Sequence, residues 1–449
     1  MINLTQKKDI LNGKVSEQIL LITIPILGEY LLQQIYNFVD QIVIGRFVGV
    51  DALAAVGGSA TQIINIVINF IAGIAAGVMV LVAQNLGKGD IDKVKKTIKT
   101  GMCLSVVLGV FLTIVCCCFS RQMLVLTGCP EDTIEYSLIY MNMYFVGFVP
   151  YMIFTVGIYI MRASGDTRKS LMFTIITSVV KIVFDLLLTG VFGLGIWGCS
   201  IATLLSFLIC AIVVLIIFRN TNDIYQYSLK DFGFDFNILK SIYKNGIPIA
   251  MQSLAFVITN LFIQIKINKY GTQTVAAFSV YNNVDNFYWS FTNAIGAATI
   301  TIVGQNYGNK NMHRVKEIIR KGIVIHFINS VVIGVIGYFF GRQIINLYTT
   351  DLIVQDIAYK MLVICVASYW IYTFVEIVSS SIKGCGDSMN SMIIAIIGIC
   401  VVRIVMLLIF NYPEPEKILY CYPVSWAATS IFYLFYYISN PKYRLTKRD

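Results

Sequence analysis

Nine ionisable side chains fall inside long apolar stretches of this 449-residue chain, where a charge is costly unless it faces a partner or a water-filled cavity. They are Glu29, Asp40, Asp185, Asp285 and Glu376, with Lys181, Lys266, Lys360 and Arg403. Asp40 and Asp185 are the pair on which chemistry would rest. A carboxylate in a low-dielectric cavity can take up or release a proton as the cavity opens from one compartment to the other, which is the chemistry of cation-coupled transport. Lys181 and Asp185 are four apart, so on a helix they share a face and reach each other. Lys360 sits near a span end, from which its long side chain snorkels to water.

The elements that position these groups are membrane spans. Hydrophobic residues make up 57% of the chain and charged ones 13%, and mean hydropathy is +0.76, which excludes a cytosolic globular enzyme. Stretches 101–120, 136–161, 245–265, 322–341 and 418–440 carry no charge over the roughly 20 residues a helix needs to cross the hydrocarbon core. Stretches 18–41, 170–189, 271–306, 361–382 and 388–411 carry one or two charges, and 52–84 and 194–218 complete a set of twelve. The first follows a polar stretch and lacks a small-residue cleavage site, so it reads as a retained helix.

Basic residues set the topology. The termini and the loops after even-numbered spans hold 25 Lys and Arg against 11 acidic residues; the opposite loops hold 5 against 8. Both termini are therefore expected on the cytoplasmic side. The net charge of +10 is an orientation signal, and nucleic acid is not needed to explain it. The eleven Cys fall mostly inside spans without CxxC pairs or Cys/His ligand spacing, and with two His they suggest apolar packing and no metal site. Walker A, dinucleotide and G-x-S-x-G motifs are absent, so neither ATP-driven pumping nor enzymatic activity is expected, and no cofactor.

The chain repeats itself. AQNLGKGDIDKVKKTIKTG at 83–101 matches GQNYGNKNMHRVKEIIRKG at 304–322 at an offset of 221, RASGDT from Arg162 matches KGCGDS from Lys383 at the same offset, and IPI recurs around Pro25 and Pro248. Two six-span halves follow. An even span number starts both on the same side, so they are parallel repeats with a substrate path between them. We expect an amino-terminal lobe over 1–218, a cytoplasmic linker over 219–244 and a carboxyl-terminal lobe over 245–449. The QN-x-G loops read as basic anchors at the headgroups, with substrate contact as the alternative.

These residues carry a resemblance. Pro25, YNFVDQIVIGRFVGVDALAAVG from Tyr36, the paired QN-x-G loops, and RASGDT and KGCGDS closing the fourth and tenth spans resemble the bacterial branch of the multidrug and toxic compound extrusion (MATE) family. The resemblance implies an all-α membrane protein of twelve helices in two pseudo-symmetric six-helix lobes, an antiporter expelling organic compounds against protons or sodium ions. It also implies an amino-lobe coupling site of an Asp, an Asn and Asp one turn apart, and a Thr; the matching positions are Asp40, Lys181, Asp185 and Thr203. Lys181 stands where the family usually has Asn. A fixed positive charge repels Na⁺ and removes an amide oxygen that could ligate it, so the expected coupling ion is the proton. Two roles remain open for Lys181: a pair with Asp185 that breaks on protonation of Asp185 or Asp40, or a structural counter-ion that leaves Asp40 as the titrating group.

Candidate substrate-cavity residues are Tyr36, Asn37, Glu29, Asp285, Glu376, Arg403 and Lys266. Asp285 and Glu376 could bind a cationic substrate or join a network neutralised by Arg403 and Lys266. Tyr144, Tyr151, Tyr281, Tyr288 and Trp289 could add aromatic surface, or pack helices. Near balance of buried charge keeps zwitterionic and anionic substrates open. The expectation is a multi-pass protein of a bacterial plasma membrane, working as a monomer on small organic substrates in contact with lipid. A flippase for lipid-linked precursors and a sodium-coupled exporter are the alternatives.

Overall fold

The structure is a computed structural model that describes residues 10–440 except 50, 51, 53–55, 130, 132 and 229–231. The described residues form helices α1 (Val15–Phe47), α2 (Ser59–Gly87), α3 (Ile91–Leu126), α4 (Ile134–Val146), α5 (Phe148–Ala163), α6 (Thr167–Asp185) and α7 (Gly195–Asn220). After them come α8 (Phe236–Asn268), α9 (Thr272–Gly308), α10 (Met312–Asn346), α11 (Leu352–Val366), α12 (Tyr369–Gly384), α13 (Ser388–Ala395), α14 (Val402–Ile409) and α15 (Cys421–Ser439). Among described residues, nine helical stretches are long and apolar enough to cross a membrane, and the bent pairs α4–α5 (53°) and α11–α12 (52°) bring the number to eleven. The remaining long helix is α9, 37 residues, with mid-helix Asn282, Asn283, Asp285 and Asn286. It completes the twelve of the sequence pattern. Faces of α3 and α10 carry Phe111, Ile114, Phe119, Ile328, Val332, Phe339 and Phe340 in the open, which suits hydrocarbon and not water.

Residues 28–250 form one compact unit, and residues 251–449 with the chain up to Leu27 form the other. Helices α1 and α8 thus change unit just after Pro25 and Pro248, where the ring leaves one helical hydrogen bond unmade. Within the first unit α8 begins by packing on α2 so closely that a methyl at Gly77 would sit 2.7 Å from the Cα of Gly246.

The repeated motifs are helix punctuation. In RASGDT, Gly165 (φ +83°) lets the amide of Asp166 reach back to the carbonyl of Met161 at 2.9 Å, and Asp166 then caps α6 through the amide of Lys169. In KGCGDS, Gly386 (φ +79°) does the same, with Asp387 bonding back to Ile382 at 3.1 Å. Asp90 and Asn311 cap α3 and α10 in the paired loops.

Candidate functional site

The candidate site lies in unit 28–250, on α1, α6 and α7. Lys181 and Asp185 stand one turn apart on α6, and the Lys181 Nζ donates to both oxygens of Asp185, at 2.7 and 2.5 Å. The same ammonium donates to Oδ1 of Asp40 on α1 at 2.9 Å. From α7 the thiol of Cys199 donates to that oxygen, also at 2.9 Å. Asp40, Lys181, Asp185 and Cys199 are all buried. Two carboxylates share one ammonium, so the group carries one net negative charge when both are ionised. Ligand atoms of Asp40, Asp185 and Cys199 lie within 4.8 Å of one another; a cation there would have to displace Lys181.

Local structure shapes the cluster. After Asp185 the backbone widens into a π-helical turn, Leu186–Val191, a feature that often marks functional sites. The amide of Phe192 bonds to Leu187 at 2.8 Å as the turn closes. Tyr140, Tyr144, Tyr151 and Phe207 form an aromatic group in the same unit, with Tyr144 and Tyr151 each about 5 Å from Phe207 between centroids (5.2 and 5.0 Å). Tyr36, one turn before Asp40, is half-buried, and Asn37 is exposed.

Two sequence candidates hold other positions. Thr203 is buried one turn beyond Cys199, and its hydroxyl donates to the Cys199 carbonyl at 3.0 Å. The thiol therefore stands where the hydroxyl was expected. Sequence reasoning placed Cys199 among packing residues; its four-residue spacing from Thr203 is the one signal that could have drawn attention to it. Glu29 accepts from Arg162 on one oxygen and from Ser170 at 2.5 Å on the other. The Arg162 guanidinium also lies over Tyr30 and Tyr159 (5.6 and 5.1 Å). Both acceptor atoms of Glu29 are thus occupied inside the unit, and Arg162 of the RASGDT motif is the partner that the sequence reading missed.

In the unit containing residues 251–449, Asp285 on α9 accepts from the Tyr369 hydroxyl and from the Trp289 indole at 2.6 Å. Tyr288 stacks on Tyr369 at 3.6 Å, and the Tyr281 hydroxyl donates to Cys365 at 3.1 Å. Glu376 on α12 accepts from Ser380 at 2.9 Å, beside Gly296. Arg403 on α14 donates through Nε to Ser425 at 2.9 Å, and its guanidinium lies 4.3 Å over the Tyr422 ring. Lys266 is half-buried in the last turn of α8. Among the described residues neither Arg403 nor Lys266 forms a direct ion pair with Asp285 or Glu376; Arg403 acts on Asp285 electrostatically at longer range, and Lys383 acts so on Glu376. Lys360 is half-exposed and pairs with Asp356 at 2.8 Å, as a snorkelling residue should.

Outside the spans, burial and the neighbouring Asp166 carboxylate push the Tyr225 phenol well above its ordinary range. It stays a donor, bonding Asp166 at 2.8 Å and Asp223 at 2.9 Å.

The MatE family model matches residues 25–187 and again residues 248–409. Among curated proteins the chain is similar to the probable multidrug resistance protein YoeA of Bacillus subtilis, 26% identical, covering 96% of this chain and 95% of that one. The probable multidrug resistance protein NorM of Thermotoga maritima is 24% identical, covering 87% and 84%. Among solved structures, the outward-facing conformation of a multidrug resistance MATE family transporter of the MOP superfamily superposes with a TM-score of 0.89, at 21% identity, covering 95% of this chain and 96% of that chain.

Proposed function

The chain belongs to the MatE family of membrane transporters, and on that premise we propose that it exports small organic compounds from a bacterial cell by proton antiport. The observation that carries the reading is the Lys181 ammonium held between Asp40 and Asp185. It occupies the place a coupling metal cation would need, so sodium coupling is disfavoured. A proton needs no coordination shell and can add to a carboxylate oxygen without Lys181 leaving the cluster, although the ammonium opposes it. Adding one to Asp40 or Asp185 removes the net negative charge and frees Lys181 from one carboxylate, a discrete change that a conformational equilibrium can follow. Proton release on the other side would restore the bridge and complete one exchange.

Arg162 and Glu29 support the same assignment by contrast. They form a closed, fully bonded pair, whereas Asp40, Asp185 and Lys181 share one cation among two anions. We assign coupling to Asp40, Lys181 and Asp185, with Cys199 holding Asp40 and Thr203 holding the α7 backbone. Parallel repeats suit alternating access by rocking of the two halves, with a monomer as the working form.

Uptake of a fluorescent organic compound into reconstituted vesicles under an imposed pH gradient tests the reading. Wild type is expected to accumulate the dye without sodium, and Asp40→Asn to lose gradient-driven uptake. Uptake that requires sodium, or that survives in Asp40→Asn, contradicts it. Lys181→Asn restores an amide at that position; if sodium dependence then appears, Lys181 is what excludes the ion.

A further inference from the structure

At the end of α10 remote from the QN-x-G loop, the unit containing residues 251–449 carries a charged cavity that coupling does not use. α10, α11 and the short turn Pro415–Tyr420 enclose about 360 Å³, open at the surface. Three cations line it, Arg342, Lys360 and Lys417, with two carboxylates, Glu414 and Glu416. The cations are partly committed. Lys360 pairs with Asp356 at 2.8 Å and Lys417 with Glu414 at 3.3 Å. Arg342 reaches Asp356 at 3.3 Å through one terminal nitrogen, with its guanidinium 4.6 Å over the Tyr359 ring and its side chain 62% exposed. Glu416 differs from the other carboxylates. It is 9% exposed, accepts no hydrogen bond among the described residues, and has Lys360 at 3.7 Å as its nearest described cation. A buried carboxylate so thinly paired is costly, and a donor entering the cavity would relieve that cost.

Depth and flanks select the ligand. α10 rises about 45 Å from Met312 to Arg342, the thickness of a bilayer with its headgroups. The cavity therefore lies at headgroup level, in the outer leaflet for the orientation expected from the loop charges. Tyr338 and Tyr420 line it half exposed, as interfacial aromatic residues do. On the same turn of α10 as Tyr338, Phe339 and Phe340 are 67% and 57% exposed, a surface for acyl chains that a dissolved ligand would not need. With Asp356, three cations and three carboxylates balance, so the complement is a zwitterion. A phosphate suits Arg342 and Lys417, and a primary ammonium has hydrogens to donate to Glu416. A quaternary ammonium has none, and a purely anionic headgroup would leave Glu416 as it stands.

We propose that this cavity binds an outer-leaflet phospholipid whose headgroup joins a phosphate to a primary ammonium. The inference is independent of the transport reading, because binding is measured by itself. Native mass spectrometry of delipidated full-length protein gives the affinity for the first bound molecule of dioleoyl phosphatidylethanolamine, phosphatidylcholine or phosphatidylglycerol, and of soluble phosphoethanolamine. Wild type should hold the ethanolamine lipid at least about tenfold more tightly than either of the other lipids, the effect of one charge-assisted hydrogen bond. Glu416→Gln should bring it within about twofold of the choline lipid. Arg342→Gln combined with Lys417→Gln should weaken the ethanolamine and choline lipids alike. Equal binding of the three lipids by wild type overturns the proposal, as does an ethanolamine preference that survives in Glu416→Gln. Tighter binding of the glycerol lipid overturns it in favour of a general anionic-lipid surface, and soluble phosphoethanolamine bound as tightly as the lipid overturns it in favour of a solute site. Should Glu416→Gln not fold, the double variant at exposed Arg342 and Lys417 decides: weakened ethanolamine lipid supports the proposal, and unchanged affinity overturns it.

Discussion

One ammonium shared by two buried carboxylates is an arrangement in which each residue depends on the others. Removing the cation alone leaves two uncompensated charges in a low-dielectric interior, a loss of about 3–5 kcal/mol for broken buried pairs. Lys181→Met is therefore expected to lower the thermal midpoint sharply, and Lys181→Met with Asp185→Asn to recover most of it, measured by tryptophan fluorescence on purified protein. Equal midpoints for wild type and Lys181→Met would mean that the ammonium contributes nothing there. The same logic applies to Glu29, whose oxygens are both used by Arg162 and Ser170. Sequence reasoning found Asp40, Asp185 and Lys181 because a charge in an apolar span is conspicuous in one dimension. It passed over Cys199 and Arg162: a thiol resembles an apolar residue, and an arginine at a span end resembles an anchor.

Helix ends and helix contacts were legible to different degrees. The paired loops show why: Gly89 (φ +73°) and Lys310 (φ +58°) occupy the same position of the repeat, and both are left-handed. Since one half already tolerates a lysine there, Gly89→Lys should cost only about 1 kcal/mol, and the β-branched Gly89→Val more, in thermal unfolding. Gly77 faces a different constraint, the backbone of Gly246 on α8. Gly77→Leu is expected to reduce the yield of folded, monodisperse protein severely, with Gly77→Ala milder; an unaffected Gly77→Leu would show that the two helices can separate freely. Motif reading recovered the turns because glycine and capping residues act locally. The α2–α8 contact joins residues far apart in the chain, so no local signal announces it. Nor does any spacing reveal the π-helical turns beside Asp185 and before Arg403.

Across the whole molecule, charge asymmetry predicts orientation. In a background lacking Cys118 and Cys129, a cysteine at Lys310 should resist an impermeant maleimide applied to intact cells, and one at Lys417 should react. The reverse pattern would invert the topology. The two units, residues 28–250 and the remainder, each contain their own buried charges and aromatic groups, and the groups differ: a shared ammonium in one, a carboxylate capped by neutral donors and a guanidinium lying over a tyrosine ring in the other. Parallel repeats have thus kept their helical frame while their interiors diverged.

Span number, the internal repeat and the helix punctuation were determined by the sequence alone, because each rests on short-range physics: apolar length against hydrocarbon thickness, glycine at positive φ, a side chain capping its own helix. Which charges meet was decided only by the tertiary structure. Ion pairs act over a few ångströms, and the partners of Asp40 and Glu29 lie more than a hundred residues away along the chain. Packing of α1 against α6 and α7 brings Lys181 and Cys199 to Asp40. Packing of α9 against α12 assigns Tyr369 to Asp285.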